Sequence, residues 1–180
     1  MNRSEPVRIT RRPPDGLTRR ILVSACINGS PIRFNRTNVE VTSPIWDLWV
    51  DEGRLVPFCA ELASGFPVPR APAEIIGGEG SDVICGVGSV LEDNGTDVTD
   101  QFMEGARLAV AHALRNRCVA AVLTDGSPSC GSTYIYDGGF AGGTKSGRGV
   151  VAQMLSDAGI EVFSEDQLEE AHRFVTGAGA

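Results

Sequence analysis

Five cysteines are the residues of this sequence best suited to chemistry, and an odd number of them in a reducing compartment speaks against a disulfide framework. Three, Cys26, Cys59 and Cys130, each follow an apolar segment that reads as a β-strand. Soft thiolates from separate loops can hold zinc or an iron–sulfur cluster. Three thiolates without a fourth leave one coordination position open, which suits catalysis better than a closed structural site. Glu61 lies two residues beyond Cys59 in Cys59-Ala60-Glu61, which places a carboxylate within reach of anything bound there. The third cysteine sits in Asp125-Gly126-Ser127-Pro128-Ser129-Cys130-Gly131, a rigid polar run almost free of bulk, suited to wrap a backbone around a ligand. Three small residues in unrelated tight turns would give the same pattern.

The elements that must position these residues follow from periodicity. Arg20–Ala25, Leu55–Phe58 and Cys118–Leu123 read as short buried strands ending at turn residues. Ser43-Pro44 opens a helix that closes at Gly53, and Asp97 or Thr99 caps a longer helix carrying Phe102, Ala106, Ala109, Val110, Ala113 and Leu114 on one face. Residues 63–72 read as an extended loop, and Asp82–Val87 as a further strand, paired in a hairpin with Val90-Leu91. A helix resumes near Gly149, then a strand at Ile160–Phe163 and a short helix from Glu165. Strands alternating with helices predict a single α/β domain over residues 20–176, Rossmann-like, with a mainly parallel sheet and helices on both faces. In such sheets sites form beyond the carboxyl ends of the strands. That rule separates Cys26, Cys59 and Cys130 at the functional edge from Cys85, inside a predicted strand, and Cys118, at a strand's start, both expected as buried core thiols. The long 125–148 segment is expected to be functional rather than connective.

Composition narrows the function classes. The chain has 180 residues, ordinary hydrophobic and charged fractions of 42% and 22%, and a net charge of −7. No run is apolar enough for a membrane span or a secretory leader, so a cytoplasmic protein is expected. Residues 1–19 form a basic arm, read as a solvated tail. The acidic remainder would repel a phosphate backbone, so a small molecule is a better partner than a nucleic acid. His112 and His172 fall on predicted helices, and neither pairs evidently with a cysteine to make an activated nucleophile. Asp137 and Arg70 read as loop-pinning residues.

Several motifs occur in order: Ile21-Leu22-Val23-Ser24-Ala25-Cys26, Val56-Pro57-Phe58-Cys59-Ala60-Glu61, Pro67-Val68-Pro69-Arg70 with Pro72-Ala73-Glu74, Asp97-Val98-Thr99, Ser127-Pro128-Ser129-Cys130-Gly131 and Tyr136-Asp137-Gly138. Together they resemble the thiouracil desulfidase family over residues 20–165. The resemblance implies a 4Fe-4S cluster on Cys26, Cys59 and Cys130, a catalytic glutamate at Glu61 and a catalytic serine at Ser127, with Ser129 able to exchange roles with it. It implies desulfidation of a small thiocarbonyl compound such as a thiouracil, with oxygen replacing sulfur and hydrosulfide leaving. This chain departs from the family pattern at Ala60, where proline is usual, at Thr124, where many members carry lysine, and at Phe34-Asn35-Arg36, where Tyr-Asp-Gly is common. A zinc hydrolase using the same thiolates and a non-enzymatic iron–sulfur sensor are the competing readings.

Overall fold

The computed structural model describes residues 19–35 and 41–177. Its centre is a four-stranded, wholly parallel sheet of β1 (Arg20–Ser24), β2 (Leu55–Phe58), β5 (Cys118–Leu123) and β8 (Glu161–Ser164), in the spatial order β2-β1-β5-β8. Side chains alternate across it. Leu22, Val56, Ala121 and Leu123 face one core, and Ile21, Val23, Leu55, Ala120 and Val122 face the other. Helices α1 (Pro44–Asp51) and α6 (Leu168–Thr176) cover the second face with Trp46, Trp49, Ala171 and Val175. Helices α4 (Thr99–Arg115) and α5 (Val150–Asp157) cover the first with Phe102, Ala106, Ala109, Val151 and Leu155. The single α/β domain with helices on both faces is thus as the residue pattern predicts.

Local signals account for most boundaries. Ser43 caps α1 by accepting from the Trp46 amide at 3.0 Å, with Pro44 in the first turn, and Gly53 adopts φ +64° after its end. Asp97 accepts from the Thr99 amide at 2.9 Å at the start of α4, while the Thr99 hydroxyl turns back to accept from the Val90 amide. Helix α6 starts at Leu168 rather than Glu165, because Glu165 is drawn aside to accept from the Asp125 amide at 2.8 Å. Of the basic arm, residues 1–18 lie outside the described residues, as does Arg36.

One expectation is overturned. Residues 82–87 are not a strand: Gly80–Ile84 form a helix, α3, fixed by reciprocal bonds in which Glu79 and Asp82 each accept from the other's backbone amide. This box outweighs the brief apolar stretch Val83-Ile84-Cys85. The strand that pairs with β4 (Ser89–Glu92) is instead β3 (Ala73–Ile76), antiparallel, with Ala73 opposite Glu92. Residues 63–72 are a loop only after a one-turn helix, α2 (Ala60–Ala63), and the 125–148 segment contains a small hairpin of β6 (Tyr134–Tyr136) and β7 (Thr144–Ser146).

The correction moves Cys85 from the core to the surface. It ends α3 and is exposed, whereas Cys118 is buried as expected, its thiol pushed up to about 11 by burial and only partly offset by Arg20. In the folded protein Cys85 should therefore react with an alkylating reagent at pH 8 at least ~100-fold faster than Cys118. Peptide-resolved mass spectrometry reads both sites, and equal protection of the two would return Cys85 to the interior.

Candidate functional site

The sheet order places the switch in chain direction at β1 and β5, where the chain leaves β1 toward β2 and later returns to the other side. Loops diverge from the carboxyl ends of the two strands there and leave a crevice. Cys26 follows β1, Cys59 follows β2 and Cys130 follows β5. All three line one cavity of about 200 Å³, together with Glu61, Ser127 and Ser129. The six residues singled out in the sequence are brought together. Cys85 and Cys118 do not line it.

Each cysteine is held differently. Cys26 lies in a turn whose amides bond back to Ser24 and Ala25, and its Sγ is 3.1 Å from the Thr124 hydroxyl. Thr124 thus stands in the cavity wall, directly against the first thiol. Cys59 occupies the N-cap position of α2, and Ala60 is its first residue. Proline favours that first position because it lacks an amide there and has the right φ. Alanine at that position also begins the turn that carries Glu61. Cys130 is half-buried, with the Ser129 hydroxyl 3.9 Å from its Sγ.

The Ser127–Cys130 turn is organised by Ser127. Its Oγ accepts from the amides of Ser129 at 3.1 Å and Cys130 at 3.2 Å. With both lone pairs engaged, the hydroxyl keeps its proton as a donor. Ser129 is 1% exposed, and its carbonyl accepts from the Val151 amide at 2.9 Å at the start of α5. Ser127 is the more accessible of the two.

Burial pushes up the thiol pKa of Cys26, Cys59 and Cys130. Opposing contacts are weaker: the Thr124 hydroxyl and Arg33 at Cys26, the Leu62 amide and Arg70 at Cys59, and the Ser24 hydroxyl at Cys130. Such thiols ionise when a metal replaces their protons. Burial likewise raises the Glu61 carboxyl against the lowering influence of Arg70 and Arg33. Arg70 donates from Nε to Glu61 Oε2 at 2.5 Å, and the two side chains are only 7% and 16% exposed.

Sequence reasoning missed much of the cavity wall. Arg70, read as a loop pin, does pin loops but also pairs with Glu61. Arg33, Phe34, Tyr136 and Glu74 line the cavity too. Glu74 is buried and accepts from the amides of Gly138 at 2.9 Å and Phe140 at 3.1 Å, tying the β6–β7 loop to β3. Gly138 has φ +94°, and a Cβ there would stand 2.8 Å from the Ile75 carbonyl, so the loop can approach only with glycine. Asp137 pins the same loop as expected, accepting from Gly139 at 2.8 Å. Asp125 closes the Cys130 loop by accepting from the amides of Ser132 at 2.6 Å and Thr133 at 2.9 Å. Its place two residues before the Ser-Pro-Ser-Cys run was the available signal.

The family model of 2-thiouracil desulfurase matches residues 21–167. The chain belongs to the 2-thiouracil desulfurase family. It is 44% identical over 150 residues to the uncharacterized protein YbbK of Bacillus subtilis (strain 168), an alignment covering 83% of this chain and 98% of that protein. It is also similar to the solved structure of the [4Fe-4S]-dependent thiouracil desulfidase TudS, with a TM-score of 0.78 and 40% identity. That match covers 89% of this chain and 97% of TudS.

Three thiols from three loops line one cavity, a soft donor set of the kind that iron–sulfur clusters and zinc both take. No helix among the described residues is long and apolar enough to cross a membrane.

The Cys130 loop depends on its close fit to α5. A Cβ at Gly149 would stand 2.4 Å from the Ser129 carbonyl oxygen and 2.7 Å from that of Pro128. Gly149→Ala should cost about 1–3 kcal/mol in urea unfolding and lower the iron retained per folded chain. Unchanged values of both would show that the loop yields freely.

Proposed function

We propose that this protein is a 4Fe-4S-dependent desulfidase that replaces the thiocarbonyl sulfur of a small substrate such as 2-thiouracil with oxygen. The single observation that carries this reading is the placement of the Glu61 carboxylate in the same cavity wall as the thiols of Cys26, Cys59 and Cys130. Kinship with TudS supports the cofactor and the substrate class.

Cys26, Cys59 and Cys130 would hold the cluster as thiolates. When bound, a cluster with three protein ligands offers a soft, open iron as Lewis acid and acceptor for the substrate's sulfur. The chain's own residues supply the rest. Glu61, ionised opposite Arg70, takes a proton from water as the water oxygen bonds to the thiocarbonyl carbon. The carbon–sulfur bond then breaks with its electron pair on sulfur, the hydroxyl proton left on the new oxygen passes to that sulfur, hydrosulfide departs, and Glu61 releases its own proton to water. Water thereby supplies the carbonyl oxygen, and no oxidation or reduction is needed. Ser127 keeps a free hydroxyl proton, and its role is to donate to a heteroatom of the substrate ring and hold its plane. Phe34 and Tyr136 add aromatic surface to the cavity wall, which suits a flat heterocycle. A cavity of about 200 Å³ is of the size a compact ring occupies.

Protein purified without oxygen should be brown and contain about four irons and four acid-labile sulfides per chain. It should release hydrosulfide and uracil from 2-thiouracil. Glu61→Gln should retain the iron and lower the rate by about 10²–10⁴-fold. A colourless protein with one zinc, or an iron-loaded Glu61→Gln variant of normal rate, would refute the cofactor or the base respectively.

A further inference from the structure

Glu61 sits on a helix of only one turn, which by itself defines a long, flexible side chain poorly. The contact that does define it comes from outside the helix. The Arg70 guanidinium bonds Glu61 Oε2 through Nε, and through Nη1 it donates to the Ile32 carbonyl at 3.1 Å and the Pro67 carbonyl at 3.4 Å. The Arg70 amide in turn donates to the Phe34 carbonyl at 3.1 Å. Arg70 is therefore fixed from the loop that follows Cys26 and from the loop that follows α2, and it transmits that position to the carboxylate. A planar guanidinium can satisfy these acceptors together; an ammonium of shorter reach has no fork to do so.

We infer that Arg70 is the positioning residue for Glu61, holding Oε2 so that the base works through Oε1 at a fixed place beside the three thiols. The inference rests on the desulfidase reading for its kinetic consequence, though the ion pair itself stands without it. It also ascribes a further part to the 27–35 loop: the carbonyls of Ile32 and Phe34 set the base through Arg70, besides this loop carrying Arg33 and Phe34 to the cavity wall. A direct substrate ligand would behave differently, since its loss weakens binding. A mere loop pin would also differ, since its loss is indifferent to whether residue 61 carries a charge.

The test compares cluster-loaded wild type, Arg70→Gln, Arg70→Lys, Glu61→Gln and the Arg70→Gln/Glu61→Gln pair. It reads iron content, visible spectrum, melting temperature, and kcat and KM with 2-thiouracil. Arg70→Gln should keep its iron and spectrum, hold KM within about twofold, and lose about 30-fold or more in kcat, within the range general-base help supplies. Arg70→Lys should regain part of that rate, because charge returns without the fork. In the Glu61→Gln background, removing Arg70 should change kcat by less than about threefold, and should lower the melting temperature less than it does in wild type. Additive losses in both backgrounds, a raised KM with normal kcat, or loss of iron in Arg70→Lys as well as Arg70→Gln would overturn the inference. Should Arg70→Gln not fold, the lysine variant and its pairing with Glu61→Gln decide by the same criteria. If iron-loaded wild type leaves 2-thiouracil untouched, the desulfidase reading fails alone, and the melting-temperature coupling between residues 61 and 70 judges the positioning role. Absence of that coupling would reject it.

Discussion

Backbone amides at the start of a helix need acceptors, and in α5 the loop carrying Cys130 supplies them. The amides of Gly149, Val150 and Val151 donate to the carbonyls of Gly131, Pro128 and Ser129 at 2.8, 2.9 and 2.9 Å. The exchange satisfies three groups that would otherwise be costly to bury, and it fixes the cysteine without using its side chain. The fit leaves no room for a Cβ at Gly149, or at Gly131, where one would meet the Tyr134 carbonyl oxygen at 2.6 Å. Gly80 extends the same chain of contacts, donating to the Arg148 carbonyl at 2.7 Å. Thus α3, α5 and the Ser-Pro-Ser-Cys turn form one connected support, with the Cys130 thiol at its end.

Around that support, charge is sorted by distance from water. The chain as a whole is acidic, yet two arginines, Arg33 and Arg70, stand at the cavity with Glu61 and the thiols. Glu61, Glu74 and the three thiols, in one poorly solvated place, would repel each other if all ionised together. The guanidiniums and whatever cation the thiolates take offset that cost. Where Arg70 pairs with Glu61, burial makes the pair dependent on both members: removing either leaves a poorly solvated charge without its ion-pair partner.

Much of this was legible in the sequence, and what was missed has physical reasons. Short continuous apolar runs identified β1, β2 and β5 because both faces of these strands are buried. Grouping the cysteines by strand ends then needed only the rule that crevices open at the carboxyl edge. The failure at residues 82–87 has the opposite origin. Val83-Ile84-Cys85 has strand-like composition, but the helix there is decided by Glu79 and Asp82, whose reciprocal capping carries little weight in an apolar pattern. Strand β3 escaped notice since Ala73-Glu74 interrupts its apolarity, and Glu74 is buried only because two loop amides from residues 138 and 140 meet it. Arg70 could be read as a pin but not as the partner of Glu61, because its acceptors lie on segments whose approach depends on the tertiary fold.

Cys59, Cys26 and Cys130 leave three strands that are neighbours in the order β2-β1-β5. Hydrogen-bonded strands lie about 4.8 Å apart, so the loops that carry the thiols leave adjacent points along one edge of the sheet. Many metal motifs keep their ligands within a few residues, so that a disordered peptide can wrap its own ion. Here the three thiols lie in distant stretches of the chain and become neighbours only when the sheet has closed. An unfolded or nascent chain has no such arrangement to present. A ligand that needs all three thiols at once therefore needs the completed topology of the sheet.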